Sequence, residues 1–264
     1  MNTQPTTSIL VSTYNWKEAL QCCILSILRQ TTLPNEILIA DDGSRPDTTN
    51  LIHTLASTSP VPIIHTWQED TGFNRCSILN KAIAQGSSDY IIEVDGDIIL
   101  EPHFIADHLN ASQQGFFVCG SRVCLNKEQT TRITAHPDTT PHIHTRALNA
   151  LRCRPLSALL QQLYGRDIFY MRGCNFAFWR NDFIKVNGYN EDIYGWGRED
   201  SELAYRLHFA GIKKKFLKFA GVCYHLHHNE ASRNRDNSNI AILQQTINTQ
   251  SQHCQNGIHK YLKH

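Results

Sequence analysis

Tyr90-Ile91-Ile92-Glu93-Val94-Asp95-Gly96-Asp97 decides how the rest of the chain is read. The run Tyr90–Val94 is short, apolar and rich in β-branched residues, which suits a strand buried inside a sheet. It ends on two carboxylates separated by a glycine that lets the backbone turn tightly. Carboxylates one residue apart can approach a hard dication from neighbouring directions, and Mg²⁺ and Mn²⁺ favour oxygen ligands. Asp and Gly are also common turn residues, so the triplet alone reads more readily as an acidic turn. Its surroundings have to settle the matter.

Upstream, strand and helix signals alternate. Ile9-Leu10-Val11 reads as a first strand, and Lys17 to Gln30 as a helix with Ala19, Ile24, Ile27 and Leu28 at helical spacing. Glu36 to Ala40, Thr48 to Ala56, Ile63 to Thr66 and Cys76 to Ala84 continue the rhythm up to Tyr90. Such alternation implies an α/β fold with a doubly wound, mostly parallel sheet. Ligands bind beyond the carboxyl ends of the strands in such sheets. Three polar clusters fall there: Ser12-Thr13-Tyr14-Asn15, Asp41-Asp42-Gly43-Ser44 and Asp95-Gly96-Asp97. That shared position turns the triplet from a turn into a candidate metal and diphosphate site. An Asp at the second strand end can accept a hydrogen bond from a base or ribose, or can simply cap the following helix.

Downstream, the rhythm fades from Lys127 to about Gly165, a stretch rich in Thr, His, Pro and Arg with an amphipathic piece at Leu156 to Tyr164. It reads as an insertion or lid. Arg172-Gly173-Cys174-Asn175 and Gly195-Trp196-Gly197-Arg198-Glu199-Asp200 follow, then a helix from Ser201 to Ala210. Phe216 to Tyr224 reads as a late strand delivering His225, and the Gln/Asn-rich remainder as a polar tail. Trp196 between two glycines is an odd choice for core packing, whereas an exposed indole face can stack on a sugar ring. His225 is a candidate nitrogen ligand, with His227 as the alternative register. His136, His142 and His144 lie in a loop-like segment without cysteines and do not read as a second metal site.

Composition narrows the classes. The 264 residues allow one large α/β domain, and the formal net charge of +1 gives no basic field of the kind nucleic acid attracts. Nine cysteines without a Cys-x-x-Cys pair argue against zinc ribbons and thioredoxin-like chemistry and fit free thiols in a reducing cytoplasm. Met1 to Thr7 is polar and does not read as a secretory leader. No apolar run approaches the roughly 20 residues that span a bilayer. The missing Gly-x-Gly-x-x-Gly and Gly-Lys-Ser/Thr loops make dinucleotide and ATP folds poor fits.

Val11-Ser12-Thr13-Tyr14-Asn15, Gln30-Thr31, Asp41-Asp42-Gly43-Ser44 and Asp95-Gly96-Asp97 together resemble family 2 inverting glycosyltransferases of the GT-A fold. Arg172-Gly173-Cys174-Asn175 and Gly195-Trp196-Gly197-Arg198-Glu199-Asp200 resemble the galactosyl- and N-acetylgalactosaminyltransferase branch, which includes bacterial chondroitin polymerases. The resemblance implies a catalytic domain over residues 1–230: a donor-binding half to about 120, an insertion at 127–165 and an acceptor-binding half at 166–230. Residues 231–264 are left as a tail.

It further implies that Ser12, Tyr14 and Asp42 contact uridine, with Arg75 near the nucleotide. Asp97 and His225 would ligate Mn²⁺ or Mg²⁺, with Asp95 facing either the ribose or the metal. Asp200 would act as base, Glu199 would orient a sugar, and Trp196 would form part of the sugar platform. The implied reaction moves a hexose or N-acetylhexosamine, galactose-type favoured, from a UDP-sugar to a glycan or glycolipid acceptor. The implied setting is surface polysaccharide or lipooligosaccharide synthesis in the cytoplasm or at the inner membrane face, with Arg146, Arg152, Arg154 or the tail as peripheral contacts. Elementary chemistry asks for the same parts: a dication for the departing diphosphate and a carboxylate to take the acceptor proton. Asp200 just before a helix could also be only its cap. Two rivals share the sheet: a catalytically silent nucleotide- or glycan-binding module, and a sugar nucleotidyltransferase, whose Gly-rich basic loop after the first strand is not matched by Ser12-Thr13-Tyr14-Asn15.

Overall fold

The computed structural model describes residues 4–138, 143, 145, 147–165, 167, 168, 170–228 and 236–263. Its first half is the alternating pattern made solid. Strands β1 (Thr7–Thr13), β2 (Glu36–Asp41), β3 (Ile63–Trp67) and β4 (Tyr90–Asp95) lie parallel in the order β3-β2-β1-β4. Helices α1 (Lys17–Leu28), α2 (Pro46–Thr58) and α3 (Arg75–Gln85) connect them.

Both faces of the sheet are covered, so the strands are apolar on both sides. Ile9, Val11, Ile37, Ile39 and Ile92 pack with Leu20, Ile24 and Ile27 of α1. Leu10, Leu38, Ala40 and Ile91 face the other way, with Ile78, Leu79 and Ile83 of α3. The period-2 alternation of side chains makes one strand serve two cores.

The second half completes the sheet and adds a small one. After β4 come β5 (Ile98–Leu100), α4 (Phe104–Ala111), β6 (Phe116–Gly120), β7 (Val123–Cys124), α5 (Lys127–Ala135), α6 (Arg154–Tyr164) and β8 (Phe176–Trp179). They are followed by α7 (Arg180–Lys185), α8 (Glu199–Phe209), β9 (Lys213–Leu217), β10 (Cys223–His225) and α9 (Asp236–Thr249). The large sheet runs β3-β2-β1-β4-β8-β6-β9, with β8 antiparallel to both its neighbours. The small sheet is β5-β10-β7.

Three stretches differ from their sequence reading. The late strand expected over Phe216 to Tyr224 is two strands, β9 in the large sheet and β10 in the small one. Between them the backbone turns through positive φ at Phe219 (61°) and Gly221 (56°). The 127–165 stretch carries two helices. One, α5, opens on a reciprocal capping box between Asn126 and Gln129. The other, α6, buries Ser157 and turns Leu156, Leu159 and Leu163 to solvent. The segment read as a polar tail folds back. Asn239 on α9 donates its amide to the carbonyls of Tyr194, Trp196 and Gly197, and Thr246 donates to Glu202. Ile258 is wholly buried in the core formed by α3, α7 and α8.

Because Ile258 fills that core, Ile258→Ala is expected to cost about 2–4 kcal/mol of stability by urea unfolding. An unchanged midpoint would mean that the C-terminal segment is not docked.

Candidate active site

A cavity of about 750 Å³ opens at the carboxyl ends of β1, β2 and β4. That is ample for a nucleotide-sugar-sized ligand. Ser12, Tyr14, Asp42, Arg75, Asp95, Asp97, Trp196, Glu199, Asp200 and His225, the residues singled out in the sequence, all line it. They come from six separate stretches of chain: the ends of β1, β2 and β4, the start of α3, the Trp196 loop with the start of α8, and β10.

At its base sits a cluster of charge. Arg75, the first residue of α3, donates from Nη2 to Glu93 Oε1 and to Asp95 Oδ1, both at 2.8 Å, and from Nη1 to Ser12 Oγ at 3.0 Å. Its Nε lies 3.6 Å from Glu199 Oε1. Tyr189 donates its hydroxyl to the second oxygen of Glu93 at 2.7 Å. One guanidinium thus faces three carboxylates. Burial pushes Glu93 up to about 7 against the opposing pull of Arg75 and the Tyr189 hydrogen bond. Glu199 is likewise pushed to about 7, first by burial and then by the neighbouring Asp200 charge, with Arg75 opposing. Arg75 was expected beside the nucleotide; it lines the cavity, but its donors are directed at protein carboxylates.

The acidic triplet divides. Asp95 Oδ1 accepts from Arg75 and from Ser12 Oγ at 3.0 Å. A Cβ on Gly96 would lie 2.9 Å from the carbonyl oxygen of Ser12, so only glycine allows this close crossing of β1. Beyond it, Asp97 Oδ2 lies 3.4 Å from His225 Nε2 and 3.1 Å from His228 Nε2, and the two imidazole nitrogens are 3.4 Å apart. The three side chains offer ligand atoms all within 4.8 Å of one another. Asp97 Oδ1 is buried without a hydrogen-bond partner, an arrangement that costs free energy unless something binds it. Burial lowers the pKa of His225, which favours the neutral imidazole that a metal takes. One carboxylate and two imidazoles form a donor set that could hold a divalent metal ion.

Asp95, expected as a possible metal ligand, is not in this group. His228, which the sequence reading passed over, is. His227, the alternative considered for His225, is exposed, and its backbone N–H donates to Thr130 Oγ1. Of the loop histidines, His136 caps the C-terminus of α5, and His142 and His144 lie outside the described residues.

The remaining walls are set by local structure. Asp42 accepts from the Gln68 side chain at 2.6 Å and the Asn74 backbone at 2.8 Å, and burial raises its pKa. Tyr14 is exposed and donates to Asp70 at 2.8 Å. Trp196 is held out on a loop whose flanking glycines have φ of 80° and 100°. Arg198, also in the left-handed region, starts α8, so Asp200 lies within the first turn of that helix rather than before it. Asp200 accepts from the backbone N–H of Ser201 at 2.6 Å and of Gly173 at 3.1 Å, the second tying it to the Arg172-Gly173 loop.

The model of glycosyl transferase family 2 matches residues 8–186, and the chain belongs to that family. A second model, described as the N-terminal domain of galactosyltransferase, matches residues 158–229. Validoxylamine A glucosyltransferase of Streptomyces hygroscopicus subsp. limoneus is 26% identical over 231 residues, covering 79% of this chain and 49% of the relative. Chondroitin synthase of Escherichia coli is 22% identical, covering 91% of this chain and 38% of the relative. The chain therefore spans half or less of the length of these two relatives. Among solved structures, the Pyrobaculum calidifontis mannosyltransferase PcManGT, in complex with GDP-Man and Mn²⁺, superposes with a TM-score of 0.61 at 17% identity, covering 89% of this chain and 59% of that one. S. aureus TarS gives 0.65 at 13%, covering 92% and 39%. The likeness establishes the GT-A fold.

The charge cluster has a measurable signature. A buried carboxyl whose folded pKa is raised contributes stability that is complete below its unfolded pKa and lost as pH rises through its folded value. For Glu93 that loss falls between its ordinary value near 4.5 and about 7. Glu93→Gln is expected to gain stability relative to the native chain across that window, by on the order of 1–3 kcal/mol. A difference independent of pH would contradict the assignment.

Proposed function

We propose that the chain is a metal-dependent inverting glycosyltransferase that moves a hexose or N-acetylhexosamine, galactose-type favoured, from a UDP-sugar to a glycan acceptor. The observation that carries this is the convergence in one cavity of an Asp97–His225–His228 group and an Asp200–Glu199 pair. A silent binding module has no need of both.

Ser12, Tyr14 and Asp42 form the wall for the nucleoside, Asp42 facing the base N–H. Asp97, His225 and His228 would hold Mn²⁺ or Mg²⁺, which when bound supplies Lewis-acid stabilisation to the departing diphosphate. Asp95, fixed by Arg75, is left for the ribose. Trp196 stacks on a sugar ring.

Asp200 takes the acceptor hydroxyl proton, its carboxylate oriented by the Gly173 and Ser201 backbone N–H groups. Glu199, partly buried beside it, orients a sugar hydroxyl. Attack opposite the leaving group converts an α-linked donor into a β-linked product.

The acceptor is proposed to be a surface glycan or glycolipid, elongated at the cytoplasmic face of the inner membrane. Among the described residues, no helix is long and apolar enough to cross a membrane. Of the arginines considered for peripheral contact, Arg152 is held in a two-pronged pair with Asp107, Arg154 is exposed, and Arg146 lies outside the described residues.

Incubation with a UDP-sugar panel and Mn²⁺ should release UDP and, with acceptor, give a β linkage by NMR; an α linkage would sink the inverting mechanism. Asp200→Asn is expected to bind UDP normally while turnover falls about 10²- to 10⁴-fold. Near-normal turnover would remove Asp200 as the base. Asp97→Ala should lose the Mn²⁺-dependent part of UDP affinity, and an unaltered affinity would remove Asp97 from the metal site.

A further inference from the structure

Four arginines line the cavity, and three are engaged. Arg75 faces Glu93, Asp95 and Glu199; Arg198 makes a two-pronged pair with Asp236; Arg172 donates to the Tyr170 hydroxyl and lies over its ring. Arg122 differs. Its single hydrogen bond runs from Nη1 to the Cys174 sulfur at 3.5 Å, and among the described residues it makes no ion pair. A half-buried guanidinium with only a thiol for company is left short of partners, at a cost in desolvation.

Its position is fixed by the small sheet. Arg122 immediately precedes β7, whose Val123 and Cys124 pair in parallel register with Tyr224 and His225 of β10. The strand that delivers His225 to the Asp97 group thus runs beside the residue that carries this cation.

We propose that Arg122 binds the terminal phosphate of the donor's diphosphate and remains on it as the leaving group, an inference that rests on the UDP-sugar reading above. A guanidinium fork matches phosphate oxygens in paired hydrogen bonds, and a charged donor in a secluded site is worth more than one in water. In the transfer, the bond from the anomeric carbon to the phosphate oxygen breaks with its electron pair going to that oxygen. The acceptor oxygen forms the new bond to carbon, and its proton passes to Asp200. The added charge develops on the phosphate that Arg122 holds.

The test compares UDP with UMP, which lacks that phosphate, by titration calorimetry in the presence of Mn²⁺. Arg122→Met is expected to weaken UDP about 10- to 100-fold and UMP less than about 3-fold, with Arg122→Lys recovering most of the difference. Equal losses for both nucleotides, or none, would overturn the assignment. A measurement that does not depend on a variant folding uses the native chain and arginine modification by phenylglyoxal, followed by peptide mass spectrometry. UDP with Mn²⁺ should slow modification of Arg122 several-fold and UMP should not; no protection by bound UDP would also overturn it. A native chain that binds neither nucleotide removes the UDP-sugar reading and this inference together, whereas binding of UDP without protection of Arg122 removes this inference alone.

Discussion

A guanidinium buried among three carboxylates is the constraint on which the site depends. Glu93 is wholly buried in the middle of the sheet, where an ionised carboxylate without a partner would be prohibitively costly. Arg75 answers it from the start of α3 and reaches Ser12 at the end of β1, Asp95 at the end of β4 and Glu199 at the start of α8. One side chain therefore ties four element ends together. It joins the strand ends of the first half of the chain to the helix that carries Asp200. Removing it would leave several buried charges facing one another, so its role in this fold is to fix positions.

The two candidate chemical groups follow from that anchor. With Asp95 held by Arg75 and Ser12, and Gly96 passing close under the Ser12 carbonyl, Asp97 is the carboxylate that meets His225 of β10 and His228 just beyond it. On the other side, Glu199 meets Arg75, and the next residue, Asp200, is turned toward the Gly173 loop. The Arg75–Glu93 pair thereby sets the placement of the candidate metal-ligand group and of the proposed base on neighbouring parts of one cavity. The polar docking of α9 steadies the same region, since Asn239 holds the carbonyls of the Trp196 loop.

Much of this was legible in the sequence, and for identifiable reasons. Strands β1, β2 and β4 are buried on both faces, so they read as largely apolar runs, with Glu93 the charged exception inside β4. Polar clusters at their ends mark the ligand edge without any knowledge of contacts. What escaped was whatever depends on meeting across the fold. His228 lies three residues beyond the end of β10 in an irregular segment, with no periodicity to mark it. The structural role of Arg75 requires the convergence of four distant segments. The break between β9 and β10 was hidden because Phe219 takes a positive φ that a bulky apolar residue does not advertise. The helix α9 escaped because polar hydrogen bonds secure much of its docking, leaving little apolar stripe to read.

The central claim is that Asp97, His225 and His228 hold the metal while Asp95 serves as its neighbour, fixed by Arg75. A crystal of the chain grown with Mn²⁺ and UDP, measured for anomalous scattering from manganese, tests it most directly. The expected result is a peak coordinated by Asp97 and both imidazole nitrogens and in contact with the diphosphate, with Asp95 still paired to Arg75. Bound UDP with the manganese peak elsewhere, or with Asp95 released from Arg75 to replace the histidines, would contradict the account.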